Sequence, residues 1–175
     1  LWIGIVANLK PVKRIDVFLR AITRLKWICQ NMDIKAVIIG EGPESEMLHK
    51  TAEELGLSST VFFTGAVNNV IAYLQNLDIG VLCSDREGFS NSILEYMACG
   101  LPVVATHVGG NPELVDKTNG FCVPPGKPEA LAEAIANLAL NPELMTRMSN
   151  ESILKVKKNY TWEIIICLLY TSDAA

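Results

Sequence analysis

Six short apolar runs, each followed within a few residues by a polar turn and a helix-patterned stretch, constrain this chain more than any other feature. They are Trp2 to Ala7, Ala36 to Ile39, Thr60 to Phe63, Asp78 to Cys83, Pro102 to Ala105 and Gly120 to Val123. Runs this short and rich in Val and Ile read as buried strands. Between them, Ile15 to Cys29 carries Ile15, Phe18, Leu19, Ile22, Leu25 and Ile28 at helical spacing. Further helices are expected over Glu44 to Leu55, Asn69 to Asn76, Ser90 to Gly100, from Asn111, over Pro128 to Leu140, and over Pro142 to Met148. Strands alternating with helices predict an α/β fold with a Rossmann-like, doubly wound parallel sheet covered on both faces. Ligands on such sheets bind outside the carboxyl ends of the strands.

The totals narrow the function. With 175 residues, half of them apolar, the chain can bury one sizeable core. A net charge of −4 and the absence of a dense Lys/Arg cluster argue against a nucleic-acid surface. Cys29, Cys83, Cys99, Cys122 and Cys167 are scattered without CxxC spacing. They read as small core residues in a reducing, cytoplasmic setting. Neither His49 nor His107 has the spacing of a metal site or a triad, so no metal is expected. No apolar run approaches the ~20 residues of a membrane helix, and Leu1 to Ala7 lacks the charged lead of a signal peptide.

The candidate site centres on Glu87 to Gly100, EGFSNSILEYMACG. A strand enters a polar turn, Ser84 to Gly88, and a helix opens at Ser90-Asn91. Ser or Asn at that position caps free backbone N–H groups, and Gly100 suits the helix end. Free N–H groups and a positive helix end above the strand tips suit a phosphate. Glu87 and Glu95 flank this start, and carboxylates accept hydrogen bonds from sugar hydroxyls. From spacing alone, a solvated loop acid and an exposed helix acid are equally compatible with the pattern.

EGFSNSILEYMACGLPVVATHVGGNPELV resembles the signature of the retaining glycosyltransferases of family 4, which have the GT-B fold. The resemblance covers roughly residues 1 to 165 and implies the C-terminal, donor-binding half of such an enzyme. In that family a Glu, seven residues, Glu motif holds the donor: the first acid, here Glu87, takes sugar hydroxyls, and the second, here Glu95, takes the ribose. Backbone around Gly88 and Phe89 would hold the sugar, and the helix start at Ser90 and Asn91 the diphosphate. A Lys that reaches the donor phosphates falls on Lys13. An Arg five positions earlier is replaced by Asn8, a departure that exchanges a charged fork for a neutral amide; Lys10 and Arg14 are the nearby cations available to substitute. The Gly40-Glu-Gly42-Pro turn would border the nucleotide, although on sequence alone a plain strand-to-helix turn is the better reading, and backbone at Val67 would border the base.

The resemblance implies a nucleotide-sugar donor, UDP-sugar ahead of GDP-sugar, no other cofactor and no required metal. The partner is an N-terminal acceptor domain missing from this sequence, through which any contact with the inner face of a membrane would run. The isolated chain is then expected to be inactive. Residues 1–159 are expected to form the nucleotide-sugar-binding domain. Tyr160-Thr-Trp-Glu163 resembles the opening of the family's last helix, with 160–175 a truncated helix and a tail of foreign origin. Alternatives are a non-catalytic nucleotide-sugar binding module, a GT-B-type nucleotide-sugar epimerase and, more distantly, a flavodoxin-like signalling domain.

Overall fold

The computed structural model describes residues 1–160. In chain order it contains β1 (Trp2–Val6), α1 (Ile15–Ile28), β2 (Lys35–Ile39), α2 (Ser45–Glu54), β3 (Val61–Gly65), α3 (Val70–Leu74) and β4 (Ile79–Leu82). These are followed by α4 (Asn91–Ala98), β5 (Val103–Thr106), α5 (Asn111–Leu114), β6 (Gly120–Val123), α6 (Pro128–Ala139) and α7 (Pro142–Asn159). The six strands form one sheet in the order β3-β2-β1-β4-β5-β6, and every pairing is parallel. This is the doubly wound α/β arrangement the alternation predicts. Its strand order reverses between β1 and β4, the topological switch point where ligands of such sheets bind.

One apolar cluster, with Phe18, Ile22, Leu48 and Ile135, fills the face covered by α1, α2 and α6. The second, with Leu74, Ile93, Tyr96, Met97 and Leu114, lies under α3, α4 and α5. Strands buried on both faces need continuous apolar sequence, which explains why β4 and β5 are buried throughout.

At the switch point a side chain continues the sheet ladder. Pairing of β1 with β4 ends at Ile5 opposite Val81. Beyond it the Val6 N–H donates to Tyr96 Oη at 2.6 Å, and the Tyr96 hydroxyl donates to the Val81 carbonyl at 3.1 Å. Ser92, one turn earlier on α4, donates to the Val6 carbonyl at 3.1 Å. Both backbone polar groups of Val6 are thus satisfied by α4. Gly80 leaves the space the Tyr96 ring occupies, since a Cβ there would overlap it. Burial drives the Tyr96 hydroxyl far above its usual range, so it stays a neutral bridge.

The last helix differs from the expectation: α7 runs to Asn159, not to Met148. Its inward face passes through Met148 and Ser152, both buried, and Ser152 Oγ donates to the Leu101 carbonyl at 2.8 Å. A stripe built with hydroxyls and flanked by Lys155, Lys157 and Lys158 hides its helical period from an apolar count. Lys155 also pairs with Asp116 at 2.7 Å. Burial works upward on that carboxyl, but hydrogen bonds from Lys155 and Thr118 outweigh it and hold the pKa at about 2. The expectation for the last helix and tail over residues 161–175 lies outside the described residues. Among the described residues no helix is long and apolar enough to cross a membrane.

Removing the Tyr96 hydroxyl strands the Val6 N–H and the Val81 carbonyl at the sheet centre. Tyr96→Phe is expected to cost about 1–3 kcal/mol in denaturant unfolding, with an unchanged denaturant slope. A loss of a few tenths of a kcal/mol, the scale of a surface substitution, would show that the bridge carries no weight.

Candidate functional site

A cleft of about 450 Å³ opens at the switch point, lined by Val6, Ala7, Asn8, Lys13, Gly40, Glu41, Val67 and Ser92 among others. Four of the expected residues, Asn8, Lys13, Gly40 and Val67, therefore share one cavity. Gly42 lies behind it: a Cβ there would press on Leu9 backbone and on Asn8 Oδ1, so the glycine lets the β2–α2 turn sit directly against Asn8. Gly40 and Ser92 are lining residues; of the two, only Gly40 figured in the sequence expectation.

The loop after β1 and the loop after β4 are fastened together on one rim. A 3₁₀ turn, Pro11–Lys13, ends at Arg14 in the left-handed region at φ 50°. The Arg14 guanidinium binds Asp16 and Asp85, each at 3.0 Å. The Asp85 N–H donates to the Val12 carbonyl at 2.9 Å, and the buried Cys83 thiol donates to the Lys13 and Arg14 carbonyls. Paired chiefly with Asp16, Arg14 is held well above its usual pKa. It lines, with Lys10, a separate groove of about 830 Å³. Neither cation suggested as a substitute for the family's Arg faces the cleft; Asn8 does.

Lys13 Nζ contacts Glu87 Oε1 at 2.6 Å, with side chains 25% and 11% exposed. Their positions are 74 apart in sequence, and the two fastened loops bring them together. Such poorly solvated pairs lose strongly when one partner is removed, unlike exposed pairs. Ser84, missed by the sequence reading except as part of a polar turn, is fully buried and donates to the same Glu87 oxygen at 2.6 Å. The loop after β5 closes on this acid: Gly109 sits at φ 51°, where a Cβ would overlap the Glu87 carbonyl, and the Gly110 N–H donates to the Gly88 carbonyl at 2.9 Å.

Ser90 caps α4, its Oγ accepting from the Ile93 N–H at 3.5 Å, and Asn91 begins the helix with its side chain exposed. Gly88 and Phe89 form the exposed turn before it; the Phe89 ring lies 5.8 Å from that of Tyr160. Glu95 is half-buried, one turn after Ser92 on the same side of α4, but does not itself line the cleft. Burial raises its pKa. At this sheet edge the cleft holds the Lys13 cation beside the start of α4, with Glu87 paired to Lys13 and Glu95 set back from the lining. Among the described residues no cluster of His, Cys, Asp and Glu has the form of a metal site.

The family model described as "Glycosyl transferases group 1" matches residues 2–155. The chain belongs to this family. An N-acetyl-alpha-D-glucosaminyl L-malate synthase of Bacillus anthracis is 29% identical over 162 residues, 92% of this chain and 42% of that protein. A D-inositol 3-phosphate glycosyltransferase of Corynebacterium jeikeium is 33% identical over 92% of this chain and 40% of its own length. The chain thus spans about two fifths of these relatives. Among solved structures, the C-terminal domain of the group 1 glycosyl transferase LpcC from Francisella tularensis superimposes with a TM-score of 0.83 at 27% identity, covering 92% of this chain and 86% of that domain. Anabaena HepE in complex with UDP gives 0.89 at 24% identity, over 99% of this chain and 49% of HepE, a likeness of fold. The architecture is the C-terminal half of a GT-B fold.

The raised pKa of Glu95 has a definite consequence for stability. When the folded value exceeds the unfolded one, folding favours the neutral acid, and that contribution is lost as pH rises through the folded value. Glu95→Gln is therefore expected to raise the thermal midpoint near neutral pH and to leave it unchanged at a pH low enough to protonate the acid in both states. A midpoint lowered near neutral pH would contradict the assigned cause.

Proposed function

We propose that this chain is the donor-binding half of a retaining, family 4 glycosyltransferase that moves a sugar from a nucleoside-diphosphate sugar to an acceptor held by another domain. The observation that carries the reading is the Lys13 ammonium in a cleft at the β1–β4 switch point, paired with Glu87 and adjoining the start of α4. Lys13 and the N–H groups at Ser90-Asn91 meet the diphosphate and favour its departure as an anion. Glu87, with backbone at Gly88 and Phe89, holds the transferring sugar; Glu95 holds the ribose. Asn8 offers an amide to the phosphates, Gly42 lets the turn that borders the nucleotide pack against Asn8, and Val67 borders the base. Retention is taken from the family resemblance, and no metal has a role in the reading. HepE, with the same fold, has been solved with UDP and with UDP-glucose, which supports a nucleotide-sugar donor; UDP-sugar ahead of GDP-sugar is taken from the family resemblance.

An acceptor wall and a closing second domain lie outside this reading of the chain, so we expect donor binding but little transfer by residues 1–175 alone. The nucleotide-sugar-binding unit comprises residues 1–159, and any approach to the inner face of the membrane belongs to the acceptor domain. Asn8 gives a second reading its footing: a binding module whose phosphate grip has decayed.

Titration of the purified chain with UDP, GDP and ADP tests both. Saturable binding of one nucleotide, weakened about tenfold by Lys13→Ala and by Glu95→Ala, is the expected result. Absence of binding to all three would overturn the donor-site reading. Asn8→Arg is expected to change affinity by less than about tenfold; a much larger gain would favour the decayed module.

A further inference from the structure

Glu87 is gripped through one oxygen only. Lys13 Nζ and Ser84 Oγ both reach Oε1, each at 2.6 Å, and among the described residues no hydrogen bond reaches Oε2. The two partners differ in kind. Lys13 is a quarter-exposed cation that lines the cleft. Ser84 is uncharged, fully buried and absent from the cleft wall.

Ser84 is itself fixed from behind. Its carbonyl accepts from Thr106 Oγ1 at 2.7 Å, and the Thr106 carbonyl accepts from Asn111 Nδ2 at 2.9 Å. Thr106 and Asn111 are buried. A line of hydrogen bonds thus runs from the start of α5, through the end of β5, to the acid. The two links behind Ser84 are buried, where a hydrogen bond is stronger than in water, and Asn111 reaches the line through its amide nitrogen while its Oδ1 has no partner among the described residues.

We propose that Ser84 is the positioning residue for Glu87. Its hydroxyl, carried on a backbone whose carbonyl Thr106 holds, keeps Oε1 when Lys13 turns to a diphosphate, and leaves Oε2 as the acceptor for a hydroxyl of the transferring sugar. Lys13 has three N–H donors but a single charge, so a phosphate in the cleft weakens its hold on Glu87. Without Ser84 the acid would lose its remaining partner at the moment the donor arrives. The inference rests on the donor-site reading and adds a prediction specific to the sugar. A hydroxyl that only satisfied a buried turn would affect every ligand alike; a hydroxyl that aims Glu87 affects the sugar and spares the nucleotide.

The experiment compares dissociation constants of UDP and UDP-glucose, with GDP and GDP-mannose as a second pair, for the purified chain and for Ser84→Ala, Ser84→Thr, Thr106→Val and Glu95→Ala. Thermal unfolding verifies that each variant is folded. Ser84→Ala is expected to weaken the nucleotide sugar about tenfold while leaving the bare nucleotide within about twofold. Ser84→Thr restores the difference, and Thr106→Val shows a smaller selective loss. Equal weakening of both ligands by Ser84→Ala, or no change in either, would overturn the proposal. Glu95→Ala is the control for the underlying site and weakens both members of a pair. Loss there without a selective loss at Ser84 sinks this inference alone; no binding of either pair by the unmodified chain sinks the donor-site reading with it.

Discussion

The hydroxyl of Tyr96 is the point on which the rest of the molecule turns. It takes the Val6 N–H and gives its proton to the Val81 carbonyl, bridging β1 and β4 where their direct ladder has ended. A parallel sheet must part somewhere to admit a ligand, yet parting exposes backbone groups that are costly to leave unpaired. Here α4 satisfies them from the side with Tyr96 and Ser92, spaced one turn apart. The same contacts fix the helix over the opening. Its capped start, its half-buried Glu95 and the cleft beside β1 are consequently positioned by a single packing solution.

Charge is arranged around that opening with equal economy. Two loops are joined by backbone, thiol and guanidinium contacts, and the join carries Lys13 onto Glu87. An ammonium and a carboxylate so close, and so little exposed, spare either group from solitary burial. Arg14 accepts a left-handed backbone at this corner, a conformation with a steric cost for a residue with a side chain. Its pairs with Asp16 and Asp85 hold it there, and they also commit its charge to the other groove. The cleft is left with Lys13 as its cation and the Asn8 amide, beside the exposed Glu41.

The fold was largely legible because each strand and helix states itself locally. β4 and β5 are uninterrupted apolar runs, α1 repeats Ile15, Phe18, Ile22 and Leu25 toward one side, and Gly100 ends α4 where a helix must stop. The site was legible to the extent that its residues follow strand ends: Lys13, Val67 and Glu87 each lie just past one. What stayed hidden is tertiary or amphipathic. Tyr96 reads as one more core aromatic, and nothing local says that its hydroxyl replaces a ladder bond. Ser84 reads as a polar turn residue, whereas folding buries it completely. The Lys13–Glu87 pair joins two loops that no window spans. The second half of α7 was lost because its buried stripe includes Ser152 and its outer face is rich in lysine.

The central claim is that the β1–β4 opening, and no other concavity, is where a nucleotide sits. Backbone amide chemical shifts recorded by NMR as UDP is added test it most directly. The largest shifts are expected at Asn8, Lys13, Val67, Ser92 and Glu95, with the groove around Lys10, Arg20 and Arg86 unmoved. Shifts concentrated in that groove, with the switch point silent, would contradict it.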